Sequence, residues 1–117
     1  MIKCGTDIIE IARIKDAIEK ERFKERVYTE KEIEYCESKN VQKYQSYSGR
    51  FAAKEAIFKA LSTLIKDKYK IKWTDFEIIN DKEGKPNVQI NTDIIDKSLV
   101  NNIDISISHC KEYATAV

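Results

Sequence analysis

The chain contains two carboxylates and a lysine that together could support phosphate chemistry, namely Asp7, Glu55 and Lys59. Two carboxylates, completed by water and a substrate phosphate, are the usual way in which a protein holds Mg²⁺. A lysine one helical turn beyond Glu55 could then neutralise phosphate charge. The structural alternatives are an ordinary Glu55–Lys59 ion pair, worth about 0.2–0.5 kcal/mol, and an edge-strand or helix-capping position for Asp7, because aspartate is depleted in strands. On the residues alone both interpretations stay open.

His109 is the only histidine of the chain, and it stands between a predicted strand and a tight turn. A lone histidine is more often structural than catalytic. Functional side chains nevertheless concentrate in loops carried by a rigid sheet. His109 is therefore a candidate functional residue.

The element that must position Glu55 and Lys59 is a helix that includes residues 50–61. At about 100° per residue, apolar side chains cover most of its surface, and only a narrow stripe of Glu55, Lys59 and Ser62 is polar. Lys54 lies apart from that stripe, among apolar side chains. A helix that is apolar nearly all round is normally buried, and buried charges need partners. We therefore expect the stripe to face a polar cleft.

Hydrophobic periodicity and turn residues predict a single α+β domain over residues 1–117, in which an antiparallel sheet packs against the long central helix. The expected order of elements is β-α-α-α-β-β-α-β-β. The first strand is expected over 2–9. Three helices follow: one over 11–20, one from the Thr29–Glu32 capping box onward, and one from about Val41 to Ile65. A hairpin over 73–90, a helix over 92–100, and strands over 103–108 and 113–117 complete the domain.

Three residues with special backbone properties carry positional predictions. Gly84 is expected at positive φ in the hairpin loop, and Pro86 is expected at the start of the returning strand because it cannot donate a ladder hydrogen bond. Gly49 falls in mid-helix, where glycine costs up to about 1 kcal/mol relative to alanine. A close helix crossing or an approaching ligand would explain it.

Composition limits the classes of function. Net charge is +1, with 42% apolar and 35% charged residues, so the chain is typical of a soluble globular domain and has no overall field that would attract nucleic acid or a membrane. The three cysteines form no Cys-x-x-Cys pair and are expected to be reduced thiols in a cytoplasmic protein. We find no apolar run that predicts a signal peptide or membrane span.

A local basic face is the remaining charge feature. Helical spacing places basic side chains outward on the segments that follow the first strand, while Phe23 and Val27 pair at i, i+4. Such a run is usually a solvated face, and nearby glutamates dilute it. Its members are Arg13, Lys15, Arg22, Lys24 and Arg26.

Four segments together resemble the bacterial holo-acyl-carrier-protein synthases, the small class of 4′-phosphopantetheinyl transferases. Their order and spacing match over essentially the whole chain. The segments are Gly5-Thr6-Asp7-Ile8, Arg50-Phe51-Ala52-Ala53-Lys54-Glu55-Ala56, Gly84-Lys85-Pro86, and Ile107-Ser108-His109 before Tyr113-Ala114.

This resemblance implies an activity and a set of residue roles. The activity is transfer of the phosphopantetheine arm of coenzyme A to a serine of apo acyl carrier protein in fatty acid biosynthesis, with release of adenosine 3′,5′-bisphosphate. By position, Asp7 and Glu55 would hold Mg²⁺, Glu55 would be the candidate base, and Lys59 would steady the phosphate. The implied coenzyme A contacts are His109, Arg50, Lys54, Lys85 and Pro86.

The resemblance also implies partners. The family is trimeric, with the cleft shared between subunits, and acyl carrier proteins are acidic. The basic face defined above would dock the carrier protein, with Phe23 as its apolar contact, and salt should weaken that docking.

The chain departs from the family pattern in two places. Ser62-Thr63-Leu64 stands where a Gly-Thr-Gly turn usually approaches the phosphates, so the hydroxyl of Ser62 is a candidate substitute. Cys110 replaces a hydroxyl residue after the histidine. The missing glycine turn leaves one alternative to the transferase, an inactive relative that binds coenzyme A or carrier protein without turnover. The Arg/Lys helices leave a second, a small nucleic-acid-binding domain, which the near-neutral charge disfavours.

Overall fold

A computed structural model describes residues 2–20 and 22–117. Met1 and Glu21 belong to the predicted domain of residues 1–117 but lie outside the described residues. Within the described part, the strands are β1 (Asp7–Glu10), β2 (Phe76–Asn80), β3 (Pro86–Ile90), β4 (Ile107–His109) and β5 (Tyr113–Ala116). The α-helices are α1 (Ile11–Ile18), α2 (Phe23–Val27), α3 (Glu30–Glu37) and α4 (Lys43–Leu61).

The strands form two antiparallel sheets. One has the order β1-β5-β4, and the other is the β2–β3 hairpin. In the hairpin loop Gly84 has a φ of 87°, and Pro86 is the first residue of β3, so both predictions for these residues are confirmed. The α+β class with antiparallel strands and a long helix is as predicted.

Among the described residues, three α-helices precede α4, where the sequence predicted two. Thr29 caps α3 through a capping box with Glu32, as predicted. The additional helix is α2, which is only five residues long and follows Arg22 in a left-handed conformation with φ of 76°. An element this short has too few turns for a periodicity to stand out, so only the Phe23–Val27 pair indicated it.

The segment over 92–100 is not the predicted α-helix, because a 3₁₀ helix over Lys97–Asn102 takes its place. Side chains in this segment bind nearby backbone amides, since Thr92 Oγ1 accepts from the amide of Ile94 and Asp96 Oδ1 from that of Ser98. Such local bonds compete with helical ones. The strand predicted over 103–108 is also shorter, and β4 begins only at Ile107.

Two glycines let α4 lie directly on its neighbours. A Cβ on Gly49 would come within 2.8 Å of Ile107 Cγ2, so the close approach predicted at this residue is made by strand β4, neither by a helix nor by a ligand. A Cβ on Gly5 would collide with the backbone carbonyl of Ala56. The segment before β1 therefore crosses the C-terminal half of α4, and β4 crosses its N-terminal half.

The core has two parts, separated by α4. One part packs α4 against the strands, and includes Ala53, Ile57, Phe76 and Ile78. The other packs α4 against α1, α2 and α3, and its buried members are Ile14, Val27, Tyr28, Cys36 and Tyr47. Among the described residues, no helix is long and apolar enough to cross a membrane.

Candidate active site

Asp7 and Lys59 meet where β1 begins and α4 approaches its end. Lys59 Nζ lies 3.2 Å from Asp7 Oδ1 and donates to the carbonyl of Thr6 at 2.9 Å. Lys59 thus reaches across to β1 instead of forming the simple intrahelical pair with Glu55 that was the structural alternative. The Lys59 side chain is about half exposed, so it is held by these contacts and remains open to a ligand.

Glu55 belongs to the same cluster. Partial burial raises the pKa of its carboxyl group, the nearby Asp7 carboxylate raises that pKa further, and Lys59 lowers it. Asp7 and Glu55 are therefore close enough for their charges to repel each other, which favours a cation between them. The structure brings together the three residues on which the sequence argument for phosphate chemistry rested.

The donor set of this cluster fits Mg²⁺. Two partly accessible carboxylates in electrostatic contact supply hard oxygen ligands, and Mg²⁺ usually keeps several waters besides one or two carboxylates and substrate phosphates. No group of three or more histidine, cysteine, aspartate or glutamate side chains suited to a metal occurs in residues 2–20 and 22–117. Asp7 and Glu55 are thus the residues that would hold it.

Ser62 lies one turn beyond Lys59. It continues the right-handed helical conformation with φ of −55° and ψ of −34°, and its hydroxyl donates to the carbonyl of Lys59 at 3.0 Å. We call Asp7, Glu55, Lys59 and Ser62 the first half-site.

Lys54 does not lie in this half-site, and its predicted contact with coenzyme A does not fit its surroundings. Its side chain is 1% exposed and forms an ion pair of 2.6 Å with Glu32. Its Nζ also donates to the carbonyls of Val27 at 2.7 Å and Trp73 at 3.2 Å. Three acceptors match the three donors of an ammonium group, so nothing is left for a phosphate.

Arg50 is also buried. Its guanidinium lies 4.0 Å from the ring centroid of Tyr35, and Nη2 donates to Asn80 Oδ1 at 2.5 Å. Its Nε has no partner among the described residues. A pocket of about 340 Å³ opens beside it, and a ligand can reach this arginine through that pocket.

Lys85 and Pro86 are joined to Arg50 through the hairpin. Pro86 pairs with Asn80 across the β2–β3 ladder, and Asn80 binds Arg50. Lys85 is exposed and lies 2.9 Å from Asp104. Lys85 and Pro86 border a groove of about 930 Å³ that the C-terminal half of α4 lines from the other side.

His109 lies on the other side of β5 from Asp7. It is exposed at the end of β4, and β5 separates β4 from β1. Along α4, Gly49 meets β4 at Ile107, whereas Lys59 meets β1 at Asp7. Gly49 and Lys59 are ten residues apart, which is about 15 Å along the helix axis at 1.5 Å per residue. Within one copy of the chain, β5 therefore lies between His109 and Asp7, which the sequence argument expected to share one cleft.

We call the set that lies outside the first half-site the second half-site. Its members lie on α4 before Glu55, on the hairpin loop and at the end of β4. They are Arg50, Lys85, Pro86 and His109.

The predicted basic face is formed by α1 and α2. Arg13, Lys15, Arg22 and Arg26 are exposed, and Lys24 is partly so. Phe23 is only half exposed because its ring packs against Tyr28 and Phe51, with centroids 6.4 and 6.2 Å apart. The apolar residue proposed as a docking contact is thus partly a core residue.

One pocket beside Glu55 was missed by the sequence argument. It measures about 240 Å³, has an apolar floor and carries two lysines at its edge. The only sequence signal for it was the alternation of lysines over 66–72, which also describes an ordinary solvated connector. Its lining residues are Lys54, Glu55, Phe58, Lys68, Ile71, Lys72, Trp73 and Phe76.

Comparison with known proteins identifies the family. The sequence model of the 4′-phosphopantetheinyl transferase superfamily matches residues 3–117. The chain belongs to this superfamily. Among curated relatives, this transferase is 50% identical to a holo-[acyl-carrier-protein] synthase of Clostridium tetani over 116 residues, covering 96% of this chain and 89% of the relative. A synthase of Ruminiclostridium cellulolyticum is 47% identical over 117 residues, with 96% and 86% covered.

Solved structures agree with the sequence relatives. A holo-(acyl-carrier-protein) synthase of Bacillus anthracis in complex with CoA (3′,5′-ADP) is 36% identical, with a TM-score of 0.77 over 98% of this transferase and 91% of that chain. A Helicobacter pylori synthase in complex with coenzyme A is 30% identical, with a TM-score of 0.77 over 97% and 95%. The resemblance inferred from the four sequence segments is confirmed, and the chain is an enzyme of the transferase class.

Proposed function

We propose that this enzyme transfers 4′-phosphopantetheine from coenzyme A to a serine of an apo acyl carrier protein. The serine Oγ forms a bond to the phosphorus that carries the pantetheine arm, and the bond from that phosphorus to the bridging oxygen breaks. The serine proton leaves to a base, and adenosine 3′,5′-bisphosphate departs. The observation that carries this proposal is the cluster of Asp7, Glu55 and Lys59 in a chain of this family.

The first half-site suits that reaction because phosphoryl transfer depends mainly on positioning and charge neutralisation. Mg²⁺ held by Asp7 and Glu55 would polarise the phosphate and offset its charge. Lys59, half exposed beside Asp7, adds a positive charge at the same place. Glu55, directly or through a water, accepts the serine proton, and its partial burial makes the carboxylate a better base.

The second half-site is proposed to bind coenzyme A from a neighbouring copy in a homotrimer. The strand order supports this arrangement, because β5 lies between the strand of Asp7 and the strand of His109. An uncovered sheet face supports it as well, because Ile8 of β1, a strand whose alternate residues are exposed, is itself 65% exposed. Arg50, Lys85, Pro86 and His109 would then meet Asp7 and Glu55 across the subunit boundary.

The carrier protein is proposed to dock on the basic face of α1 and α2, since a local patch is where a chain of net charge +1 can attract an acidic partner. Action in the cytoplasm, as part of fatty acid biosynthesis, is proposed on the same family grounds. The free thiols of Cys4, Cys36 and Cys110 are consistent with a reducing compartment. The inactive-relative alternative is disfavoured because the first half-site keeps all three of its charged groups together.

The test is conversion of Glu55 to glutamine. We expect Glu55→Gln to lower the turnover of apo carrier protein at least about 10²-fold in the presence of coenzyme A and Mg²⁺, because the variant removes a metal ligand and a base. The modified carrier is quantified by mass spectrometry. Glu30→Gln, an exposed carboxylate at the start of α3, is the matched control and should react like the unaltered enzyme. Full activity of Glu55→Gln would show that the metal and base assignments are wrong.

A further inference from the structure

The pocket beside Glu55 is not used by any of the roles proposed above. Its volume is about 240 Å³, and its floor is made by Phe58, Ile71, Trp73 and Phe76. Glu55 forms part of its wall, so whatever enters this pocket lies next to the proposed phosphoryl-transfer centre. We call it the lysine pocket, after the two lysines at its edge.

A continuous strip of aromatic side chains connects the lysine pocket to the basic face of α2. The ring of Phe23 in α2 lies 6.2 Å from that of Phe51, and Phe51 stacks on Trp73 at 5.0 Å. Trp73 then lines the pocket. On α4, Phe51 and Glu55 are four residues apart and therefore neighbours on one helix face. The basic face, the aromatic strip and Glu55 follow one another along a single surface.

The edge of the pocket is positively charged. Lys68 and Lys72 are both exposed and both line it. They belong to a seven-residue segment over 66–72 that holds four lysines and one acidic residue, Asp67, whose carboxylate lies 3.9 Å from Lys70 Nζ. An apolar floor inside a cationic edge fits an apolar side chain that projects from an acidic protein surface.

We propose that the lysine pocket is a second docking contact for the acidic carrier protein, which places an apolar side chain near its target serine into the pocket while acidic residues meet Lys68 and Lys72. This inference rests on the proposed function. Two contacts on either side of Phe51, one on α2 and one beside Glu55, fix the orientation of the carrier. Such fixing holds the serine hydroxyl against the reacting phosphorus.

The test compares two double variants of the same segment. Lys68→Glu with Lys72→Glu reverses both charges at the pocket edge. Lys66→Glu with Lys70→Glu makes the same change in net charge on exposed lysines that do not line the pocket. All four positions are on the surface, so thermal unfolding should confirm that both proteins stay folded. Lys68→Met with Lys72→Met, which removes the charges without reversing them, is a milder third variant.

We expect the Michaelis constant for carrier protein to rise about tenfold in the Lys68/Lys72 reversal, to rise less in the methionine variant, and to change under about threefold in the Lys66/Lys70 control. The Michaelis constant for coenzyme A should not change. Calorimetric titration with apo carrier protein, without coenzyme A, should show the same order of affinities.

Three results would overturn the inference. Equal effects of both charge reversals would mean that the pocket lysines act only through the general electrostatic field of this segment. A rise in the coenzyme A constant instead would assign the pocket to coenzyme A. Unchanged carrier binding in the Lys68/Lys72 reversal would show that the lysine pocket lies outside the carrier-protein interface. Failure of the proposed function itself is distinguishable, because the unaltered protein would then neither bind nor modify the carrier.

Discussion

Two lysines on α4, five residues apart, form ion pairs of the same chemical type and have opposite surroundings. Lys54 pairs with Glu32 at 2.6 Å, and the two side chains are 1% and 0% exposed. Lys59 pairs with Asp7 at 3.2 Å, and these side chains are 51% and 17% exposed. In sequence both are lysines of one helix, and both were expected to serve the ligand.

The difference between the pairs shows that burial and saturation of hydrogen bonds decide what a charged group can do. Burial lowers the pKa of Lys54, and the charge of Glu32 opposes this effect. Glu32 also accepts from the amides of Thr29 and Ile78, so the pair ties α3 and β2 to α4. The buried pair is a structural tie, whereas the exposed pair stays available to a substrate phosphate.

The largest expected effect is the loss of stability when the buried pair is broken. Lys54→Met should lower the free energy of unfolding by about 3–5 kcal/mol, because Glu32 would keep its charge in the interior without a counter-ion. Urea denaturation followed by circular dichroism measures this. A loss below about 1 kcal/mol would mean that Glu32 finds another partner, and the contrast between the two lysines would no longer hold.

The same change in the exposed pair should affect turnover much more than stability. Lys59→Met should alter the free energy of unfolding by less than about 1 kcal/mol, as is usual for surface ion pairs. It should lower turnover about 10²-fold, because a positive charge near the transferring phosphate is lost. Initial rates at saturating coenzyme A and carrier protein check this expectation. If turnover were unchanged, Lys59 would be an ordinary surface residue.

A hydrogen bond between one buried and one partly exposed side chain gives the smallest expected effect. Tyr47 is buried, and its hydroxyl donates to Glu37 Oε2 at 2.5 Å, while the Glu37 side chain is 40% exposed. Tyr47→Phe should cost about 1 kcal/mol of unfolding free energy, the usual net value of one hydrogen bond. This is smaller than the stability loss expected for Lys54→Met and than the turnover loss expected for Lys59→Met.

The same hydrogen bond predicts a dependence on pH. It lowers the pKa of Glu37, mainly through the Tyr47 hydroxyl. A carboxyl group with a depressed folded-state pKa stabilises the protein above its unfolded-state value and loses that contribution as pH falls through the folded-state value. The difference in stability between the unaltered protein and Tyr47→Phe should therefore shrink below about pH 4. A difference that stays constant down to acid unfolding would contradict this assignment.

Features that depend on a few adjacent residues were predictable from the sequence. The Thr29–Glu32 capping box, Gly84 at positive φ and Pro86 at the start of β3 all have the predicted form. Each is fixed by the covalent geometry or side-chain hydrogen bonds of its own segment. The α+β class and the family followed from patterns of the same local kind, repeated along the chain.

Features that depend on several weak local preferences were predicted less well. The short helix α2 was indicated only by the Phe23–Val27 pair, and side-chain bonds to the backbone at Thr92 and Asp96 displaced the helix expected there. The site assignments divide in the same way. Asp7, Glu55 and Lys59 come together as expected, whereas the separation of His109 from Asp7 follows from the strand order β1-β5-β4, which no local signal encodes.

The sequence by itself determined the family, the fold class and the set of residue types available for phosphate chemistry. Only the tertiary structure decided that Lys54 is a buried tie, that Lys59 faces the cleft with Asp7, and that the candidate residues occupy two half-sites. The physical reason is that the free energy of a charged group depends on the solvent and partners around it. Those surroundings are supplied by β1, α3 and the hairpin, which are distant in sequence from α4.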